Sequence, residues 1–272
     1  GDIMERYREI EKSIIKKYRK EIWSKFVKAI KEFELIKEND KIAVCISGGK
    51  DSFLLAKCLE ELKRHGQFKF DLEFIVMDPG YTKETLEQVI ETAKILNLKI
   101  NVFKSNIFEV SKKSLGDNPC FLCARMRRGH LYSKARELGC NKIALGHHFN
   151  DVIETIMLNM IFNGQFSSMM PKLKSENFEG IELIRPLYYV FEKDIISWAK
   201  KNDLNFIGCA CSVTKKGLGR RKQIKELIEN LKEINPNIDY NIFKSTCNVN
   251  LNTMISYYKD SEKYNFLDYY DK

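Results

Sequence analysis

The chain has 272 residues, 44% hydrophobic and 31% charged, which excludes an intrinsically disordered protein and allows a full α/β core. No apolar run approaches the length of a membrane span, and the first helix carries no signal-peptide core, so we expect no membrane partner and a cytoplasmic location. Lys and Arg number 46 against 37 Asp and Glu, and the net charge of +9 favours a polyanionic partner.

The N-terminal segment, residues 1–36, is predicted to form one long or two consecutive amphipathic helices. Apolar residues recur at helical spacing between positions 4 and 33. The polar face is basic, and it either faces solvent or contacts nucleic acid. An exposed amphipathic helix is also compatible with a homodimer. The basic residues are Lys16, Lys17, Arg19 and Lys20, and the apolar ones include Ile10, Ile14, Tyr18, Ile22, Phe26 and Ile30.

Residues 41–52 join a predicted buried strand to an amphipathic helix at 53–64 through a glycine turn. The strand, 41–46, is a short apolar run with β-branched residues, which is typical of a central parallel strand. Gly48 and Gly49 have no Cβ, so backbone amides there can approach an anion closely. The positive N-terminal end of the following helix points at the same place. The turn is therefore a candidate anion site.

The polar residues of this turn strengthen that interpretation. Lys50 supplies a positive charge, and Ser47 and Ser52 supply hydroxyl groups. Asp51 would repel a phosphate unless a divalent cation lies between them or the carboxylate caps the helix, and both roles stay open. The spacing differs from the Walker A loop, Gly-x-x-x-x-Gly-Lys-Ser/Thr. The alternative is a ligand-free turn, which would need none of these polar residues.

The rest of the chain alternates strands and helices. This order predicts a Rossmann-like α/β fold, a parallel five-stranded sheet flanked by helices, with ligands at the carboxyl ends of the strands. We predict a catalytic domain at 37–205, a mobile segment at 166–174 and a mainly helical region at 206–272. The further strands are expected at 71–77, 99–103, 141–145 and 181–187, and helices at 84–96, up to 138, at 152–162 and at 192–201.

Further polar residues follow two of these strands. Asp78 ends the second strand, and Gly146, His147, His148 and Asp151 follow the fourth. The two histidines and Asp151 could hold a catalytic zinc, but a further ligand at close spacing is missing. A place beside a nucleotide or at a helix cap is therefore preferred, and Asp151 is well placed to cap its helix.

The eight cysteines are better explained as thiols or metal ligands than as disulfides, because the protein is expected in the cytoplasm. Cys120 and Cys123 form a C-x-x-C pair, and Cys209 and Cys211 form a C-x-C pair. Three interpretations of these pairs compete: a structural four-thiolate zinc site, a redox-active dithiol, and an iron–sulfur cluster with one open iron. On composition alone, the zinc site is favoured. The other cysteines are predicted to be small apolar core residues: Cys45, Cys58, Cys140 and Cys247.

Basic residues follow both cysteine pairs. Arg125, Arg127 and Arg128 come directly after Cys123, and the segment 215–222 is rich in Lys and Arg. Arginines beside a phosphate-binding turn suit ATP phosphates or an RNA backbone. The alternative is a solvated helix face.

Five segments combine into one pattern: Ser-Gly-Gly-Lys-Asp-Ser at 47–52, the cysteine–arginine segment at 120–132, the Gly-His-His segment at 144–155, Met-Pro-Lys-Leu at 170–173 and Arg-Pro-Leu at 185–187. Together they resemble the tRNA 2-thiocytidine synthetase family of PP-loop ATP pyrophosphatases, over nearly the whole chain. The resemblance implies an enzyme that uses ATP and Mg²⁺ to adenylate the C2 carbonyl oxygen of an anticodon-loop cytidine. It also implies tRNA as partner, a [4Fe–4S] cluster on three cysteines, and a sulfur donor, either free sulfide or a cysteine-desulfurase product.

The resemblance also implies roles for individual residues. ATP contacts fall to residues 47–52, with Gly146 and His147 nearby and with Lys50 and Asp51 in catalysis. Asp78 and Asp151, at strand ends, complete the predicted cofactor-binding set. The residues at 47–52 are Ser47, Gly48, Gly49, Lys50, Asp51 and Ser52.

Cluster ligation is implied for Cys120, Cys123 and a third cysteine. The chain has Cys209-Ala-Cys211 where the family has C-x-x-C, so the third ligand is not uniquely assigned. Cys209 is the choice because it follows Phe206-Ile-Gly, which aligns with the approach to the family's first cysteine there, and Cys211 is the alternative. Asn150 stands where many members have the first Asp of an Asp-Asp pair.

Two other functions stay open. One is another PP-loop tRNA-modifying enzyme, but lysidine synthesis needs no metal cysteines, and cluster-using 2-thiouridine relatives typically carry additional zinc-finger cysteine pairs that are absent here. The other is a non-catalytic nucleotide- and RNA-binding protein with a structural Cys₄ zinc.

Overall fold

The computed structural model describes residues 3–105, 119–207 and 214–272, with side chains for all of these except 3–4, 119–126 and 214–218. A short π-helix, Arg19–Trp23, separates α1 from α2, and a 3₁₀-helix, Leu251–Thr253, precedes β7. The helices are α1 (Ile3–Ile15), α2 (Ser24–Glu32), α3 (Lys50–His65), α4 (Lys83–Ile95), α5 (Pro119–Glu137), α6 (Phe149–Asn163), α7 (Glu192–Lys201), α8 (Thr214–Leu231), α9 (Ile238–Cys247) and α10 (Leu267–Tyr270). The strands are β1 (Lys41–Cys45), β2 (Asp71–Asp78), β3 (Ile100–Lys104), β4 (Lys142–Ala144), β5 (Lys172–Lys174), β6 (Glu182–Ile184), β7 (Ser256–Lys259) and β8 (Glu262–Asn265).

The central sheet has six strands in the order β3-β2-β1-β4-β6-β5. The predicted α/β architecture and its five parallel strands, β1, β2, β3, β4 and β6, are confirmed. The sixth strand, β5, was not predicted; it pairs antiparallel with β6 and lies in the segment 166–174, which was predicted to be mobile. A three-residue strand shows no local periodicity, so only its pairing with a distant segment reveals it.

Both faces of the sheet are covered, as its apolar strands require. Ile42 and Val44 of β1 point into the larger core cluster, which also contains residues of α1, α3, α4, α6 and α7. Ala43 and Cys45 point to the other face, where Tyr132 of α5 packs. The alternation places β1 in the middle of the molecule and its carboxyl end at the centre of one edge of the sheet.

The N-terminal segment forms two helices rather than one. Its predicted apolar residues Ile10, Ile14, Ile22 and Phe26 are buried against the catalytic core. An ion pair fixes α1 to α3, because Glu11 Oε1 lies 2.7 Å from Nζ of the buried Lys57. This segment is therefore part of the main core.

The C-terminal region begins as predicted, with α8 and α9 against α6. The mainly helical prediction is wrong for its last part, where β7 and β8 form an antiparallel hairpin. Cys45, Cys58 and Cys140 are buried as predicted, whereas Cys247 is exposed at the last position of α9. In α9 only Ile242 is buried, so most of that helix faces away from the core. The boundaries at 36 and 205 stay predictions. Across the described ranges, no helix has the length and apolarity to cross a bilayer.

Candidate active site

The turn between β1 and α3 is shaped before any ligand binds. Gly48 has φ +90°, and a Cβ there would lie 2.5 Å from Cδ1 of Ile207, so only glycine fits. The hydroxyl of Ser52 accepts a hydrogen bond from the Ser47 amide at 3.1 Å and donates one to the Gly49 carbonyl at 3.1 Å. These bonds hold the 47–52 loop closed at the N-terminus of α3, which starts at Lys50.

Asp51 lies in the first turn of α3 but does not cap it, since the N-cap residue is Gly49 and no side chain caps this helix. The cap interpretation of Asp51 is therefore wrong. Its Oδ1 is buried and has no hydrogen-bond partner in the described part of the chain. Lys50 Nζ lies 3.4 Å from that oxygen, and Nε2 of His148 lies 3.7 Å from Oδ2. Burial raises the pKa of Asp51, against the opposing charges of His148 and Lys50.

Gly146, shortly after β4, allows the backbone there to pack closely against the 47–52 loop. A Cβ there would lie 3.0 Å from the carbonyl carbon of Asp51 and 3.0 Å from the amide nitrogen of Ser52. The backbone after β4 therefore touches the backbone of the 47–52 loop, which brings His147 beside it. Nδ1 of His147 accepts a hydrogen bond from Nε of Arg185 at 3.1 Å. Burial and, as a smaller cause, the charge of Arg185 together lower the pKa of His147 to about 4, so the imidazole is neutral at physiological pH.

The capping role predicted for Asp151 is confirmed, and its partner is His148. The His148 amide donates to Oδ2 of Asp151 at 2.8 Å, and the Asp151 amide donates to Nδ1 of His148 at 3.3 Å. This reciprocal pair is a capping box at the start of α6. Within the described ranges, no group of three His, Cys, Asp or Glu side chains is arranged to hold a metal ion.

His148 also connects the 47–52 loop to α7 and α8. Its Nε2 lies 2.9 Å from Oε2 of Glu192, and Oε1 of Glu192 lies 2.9 Å from Nζ of Lys225. The hydrogen bond with His148 holds the pKa of Glu192 well below its usual range. Burial lowers the pKa of His148, but Glu192, Asp151 and Asp51 outweigh it, so the net shift is upward. Asn150 takes part as well, since its Oδ1 accepts from the Glu192 amide at 2.9 Å.

These elements surround a cavity of about 400 Å³, a size that suits a small-molecule ligand. Of the predicted site residues, Ser47, Asp51, Ser52, Gly146, His147 and Asp151 line it. The other lining residues include Met77, Tyr81, Arg127, Arg128, Leu131 and Tyr132.

Asp78 lies at the predicted strand end but serves the turn that follows. Its Oδ1 accepts hydrogen bonds from the amides of Gly80 at 3.0 Å and Tyr81 at 2.7 Å. Through them it positions Tyr81, whose hydroxyl donates to the Ser47 carbonyl at 3.4 Å. Sequence reasoning did not select Tyr81, although its place just after β2, in the Asp-Pro-Gly-Tyr-Thr break, was a usable signal.

The arginine side of the cavity adds residues that the sequence indicated only in part. Arg127, Arg128 and Tyr132 of α5 line the cavity. Arg185, which directly follows β6, lies behind His147 and also donates to the Met170 carbonyl. Burial and the nearby Arg128 lower the pKa of Arg185 to about 10. This side of the cavity is therefore strongly electropositive.

The predicted cysteine ligands fall largely outside the described residues. Cys120 and Cys123 belong to α5, about two and one helical turns before Arg127 of the cavity wall, but their side chains are not among those described. Cys209 and Cys211 lie outside the described residues. Cys209 is two residues beyond Ile207, which contacts the 47–52 loop at Gly48. The placement of the predicted cysteine ligands relative to the cavity therefore stays a prediction.

Comparisons with known proteins show which proteins this chain is similar to. A family model for the PP-loop domain matches residues 19–249. A tRNA-cytidine(32) 2-sulfurtransferase of Geobacter metallireducens is 37% identical over 236 residues, 86% of this chain and 91% of that protein. One of the same name from Coxiella burnetii is 36% identical over 88% of this chain and 92% of its own length. Among solved structures, the U34-tRNA thiolase NcsA of Methanococcus maripaludis, with its [4Fe–4S] cluster, has a similar fold, with TM-score 0.64, 23% identity, and coverage of 82% of this chain and 76% of that one.

Proposed function

Because the chain belongs to the PP-loop family and, within it, to the tRNA-cytidine(32) 2-sulfurtransferases, we propose that it replaces the C2 carbonyl oxygen of tRNA cytidine 32 with sulfur, using ATP. The observation that carries the proposal is the 47–52 loop on the cavity. This loop combines a glycine turn with the N-terminus of α3. It also carries Asp51, one of whose carboxylate oxygens lacks a hydrogen bond in the described residues.

The reaction needs activation of a poor leaving group. The cytidine C2 oxygen attacks the α-phosphate of ATP, and pyrophosphate leaves. A sulfur nucleophile then adds to C2, and AMP departs with the original oxygen. Both steps depend on positioning and on stabilisation of phosphate charge. The amides of Gly48 and Gly49, the N-terminus of α3 and Lys50 suit the phosphates.

A magnesium ion fits the residues at this loop. Asp51 offers a carboxylate oxygen without a hydrogen-bond partner in the described part of the chain, and its burial raises the pKa of the carboxyl group. A divalent cation held by Asp51 would remove that penalty and would supply positive charge to the phosphates. We therefore assign Asp51 to the cation and Lys50 to phosphate charge. His147, neutral and held by Arg185, is a fixed hydrogen-bonding group in the same wall.

A [4Fe–4S] cluster fits the donor set. Iron–sulfur clusters take thiolate ligands, and Cys120, Cys123 and Cys209 all lie within a short length of chain from residues that contact the cavity or the loop. When bound, a cluster with one iron free of protein ligands would hold sulfur close to C2 of the base. Helix α5 carries Cys120 and Cys123 and, further along, Arg127 and Arg128 of the cavity wall.

Partners follow from the reaction. The substrate is a tRNA, the location is the cytoplasm, and sulfur comes from sulfide or from a desulfurase product. A homodimer stays a prediction.

The test uses protein purified without oxygen. We expect iron and labile sulfide in about four copies each per chain, and AMP with pyrophosphate as the ATP products in the presence of tRNA and Mg²⁺. Changing Cys120, Cys123 or Cys209 to Ser should remove the cluster and thiolation, and Cys211→Ser should keep both. Stoichiometric zinc that requires all four cysteines, or ADP as product, would contradict the proposal.

A further inference from the structure

The turn after α1 and helix α7 line a second, open concave surface that the catalytic proposal does not use. It is a groove of about 510 Å³, and its charged lining consists of Lys17, Lys193, Lys200 and Lys201. We call it the lysine groove. We propose that it binds the phosphate backbone of the substrate tRNA outside the reacting base. This inference rests on the proposed function, since it names a contact surface for the same substrate.

The four lysines are available for a ligand. All four are exposed, and none forms a salt bridge with another residue of the described ranges. Exposed lysines of the same chain commonly do pair, for example Lys225 with Glu192 at 2.9 Å. Four ammonium groups gathered without carboxylates in the lining repel one another, and a polyanion relieves that repulsion.

Charges of both signs lie beside the groove, but only positive ones line it. Nζ of Lys25 lies 3.9 Å from the centre of the Phe191 ring, and Nζ of Lys193 lies 5.5 Å from the same centre. The carboxylates of Asp194 and Glu21 act on Lys25 and do not line the groove. The rim thus carries two carboxylates, and the groove itself carries none.

The position of the groove relates it to the active site. Lys193 follows Glu192, whose carboxylate bonds His148 beside Asp51. From there α7 runs back from the carboxyl edge of the sheet, and Lys200 lies seven residues on, about 10 Å along the axis. An RNA whose reacting base enters the cavity must lead its flanking backbone away over the surface. The lysine groove supplies positive charge along such a path.

A hydrogen bond between the two sides of the groove supports the same conclusion. Lys17 and Tyr18 lie in the turn between α1 and the π-helix, and the hydroxyls of Tyr18 and Ser197 are 2.9 Å apart. This bond fixes the N-terminal lysine opposite those of α7.

The chemistry favours RNA over an acidic protein such as a sulfur donor. Protein interfaces are depleted in lysine and depend on aromatic or apolar anchors, whereas phosphate contacts use lysine freely. The only exposed apolar side chain among the described lining residues is Ile196.

The test compares two triple variants of the full chain with a tRNA transcript that carries cytidine 32. Lys193, Lys200 and Lys201 are changed to Gln in the groove variant. Lys69, Lys94 and Lys99 are changed to Gln in the control; these are exposed, form no salt bridge within the described ranges, and lie shortly before β2 or β3 in the chain. The loss of charge is the same in both, and unchanged thermal melting verifies folding.

For the groove variant we expect the slope of log Kd against log salt to fall by about 3, roughly one per lysine, with at least about a tenfold weaker Kd at low salt. Thiolation at saturating tRNA should keep its kcat while KM rises. The control variant should match the wild type in all three quantities. Groove and control variants that bind tRNA equally would overturn the inference. So would normal tRNA binding with a loss of thiolation seen only when a protein donor replaces sulfide. A wild-type chain that neither binds nor thiolates tRNA would instead count against the proposed function.

Discussion

The two ends of strand β1 each carry a partly or fully buried aspartate, and the two carboxylates have opposite properties. Asp40 precedes β1 at the amino edge of the sheet, and Asp51 follows it at the carboxyl edge. The pKa of Asp40 is lowered and that of Asp51 is raised, although burial pushes both upward. The difference lies in their hydrogen bonds.

At the amino edge the polar groups satisfy one another. Oδ2 of Asp40 accepts from the Lys37 amide at 2.7 Å and lies 2.7 Å from Nζ of Lys142, while Oδ1 accepts from Nδ2 of Asn141 at 2.9 Å. Nζ of Lys142 also donates to the Leu35 carbonyl at 2.6 Å. Such a cluster stabilises the fold and leaves no donor or acceptor to a ligand.

At the carboxyl edge the hydrogen bonding of the aspartate is incomplete. Oδ1 of Asp51 has no hydrogen-bond partner in the described ranges, and Nζ of the neighbouring Lys50 lies 3.4 Å from it. Burial of an aspartate therefore does not by itself indicate a ligand site. A buried carboxylate oxygen without a hydrogen-bond partner, beside a glycine with positive φ, does indicate one, because a ligand is needed to satisfy that oxygen.

The same substitution at both ends gives the largest expected contrast. Asp51→Asn removes the proposed cation ligand, so we expect AMP formation to fall by about a thousandfold, near 4 kcal/mol. Stability should stay the same or rise, because the raised pKa means that folding disfavours the charged carboxylate. Product analysis and thermal melting measure the two effects. Wild-type turnover in this variant would remove Asp51 from the site.

Asp40→Asn should lower stability and leave activity unchanged. It leaves the buried ammonium of Lys142 with Glu182 at 3.6 Å as its remaining carboxylate among the described residues. We expect unfolding in denaturant to show a loss of about 3 kcal/mol. The KM for ATP and the turnover of the folded variant should stay at wild-type values. A change in turnover without a change in stability would contradict the structural role of this edge.

The pH dependence of stability gives a further test at the carboxyl edge, through His147. Its pKa in the folded protein is about 4, below the ordinary value of 6.5, so between these values only the unfolded chain takes up the proton. Stability is therefore lost as pH falls from about 7 to 5, and His147 accounts for about 2 kcal/mol of that loss. His147→Gln should remove this part of the decline. An identical pH profile in variant and wild type would show that His147 is not held neutral.

The smallest effect concerns the contact between the 47–52 loop and the backbone after β4. Gly146→Ala places a Cβ 3.0 Å from backbone atoms of Asp51 and Ser52, so the loop must shift. We expect kcat/KM for ATP to fall about tenfold, near 1.4 kcal/mol. Gly129→Ala is the control, because nothing lies within 4 Å of a Cβ at that helical position. Equal activity in the two variants would mean that the contact does not position the loop.

Local features of this protein were predictable from its sequence. The strand, glycine turn and helix at 41–65 follow from neighbouring residues, and so does the cap at Asp151. The apolar spacing of the N-terminal helices likewise predicted which of their residues are buried.

What the sequence did not reveal depends on distant pairings. His148 meets Glu192 and Asp51, and Arg185 meets His147, across 38 or more positions along the chain. The short strand β5 and the hairpin of β7 and β8 were missed because strands of three or four residues carry no clear periodicity.

The most direct test of the central claim compares two tRNA transcripts that differ only at position 32, cytidine in one and uridine in the other. Each is incubated with the anaerobically purified protein, ATP, Mg²⁺ and sulfide, digested to nucleosides and measured by mass spectrometry. We predict one 2-thiocytidine per tRNA from the first transcript, with one AMP formed per thiolation, and no thiolated nucleoside from the second. Thiouridine in either transcript, or no sulfur incorporation with an intact cluster, would contradict the account.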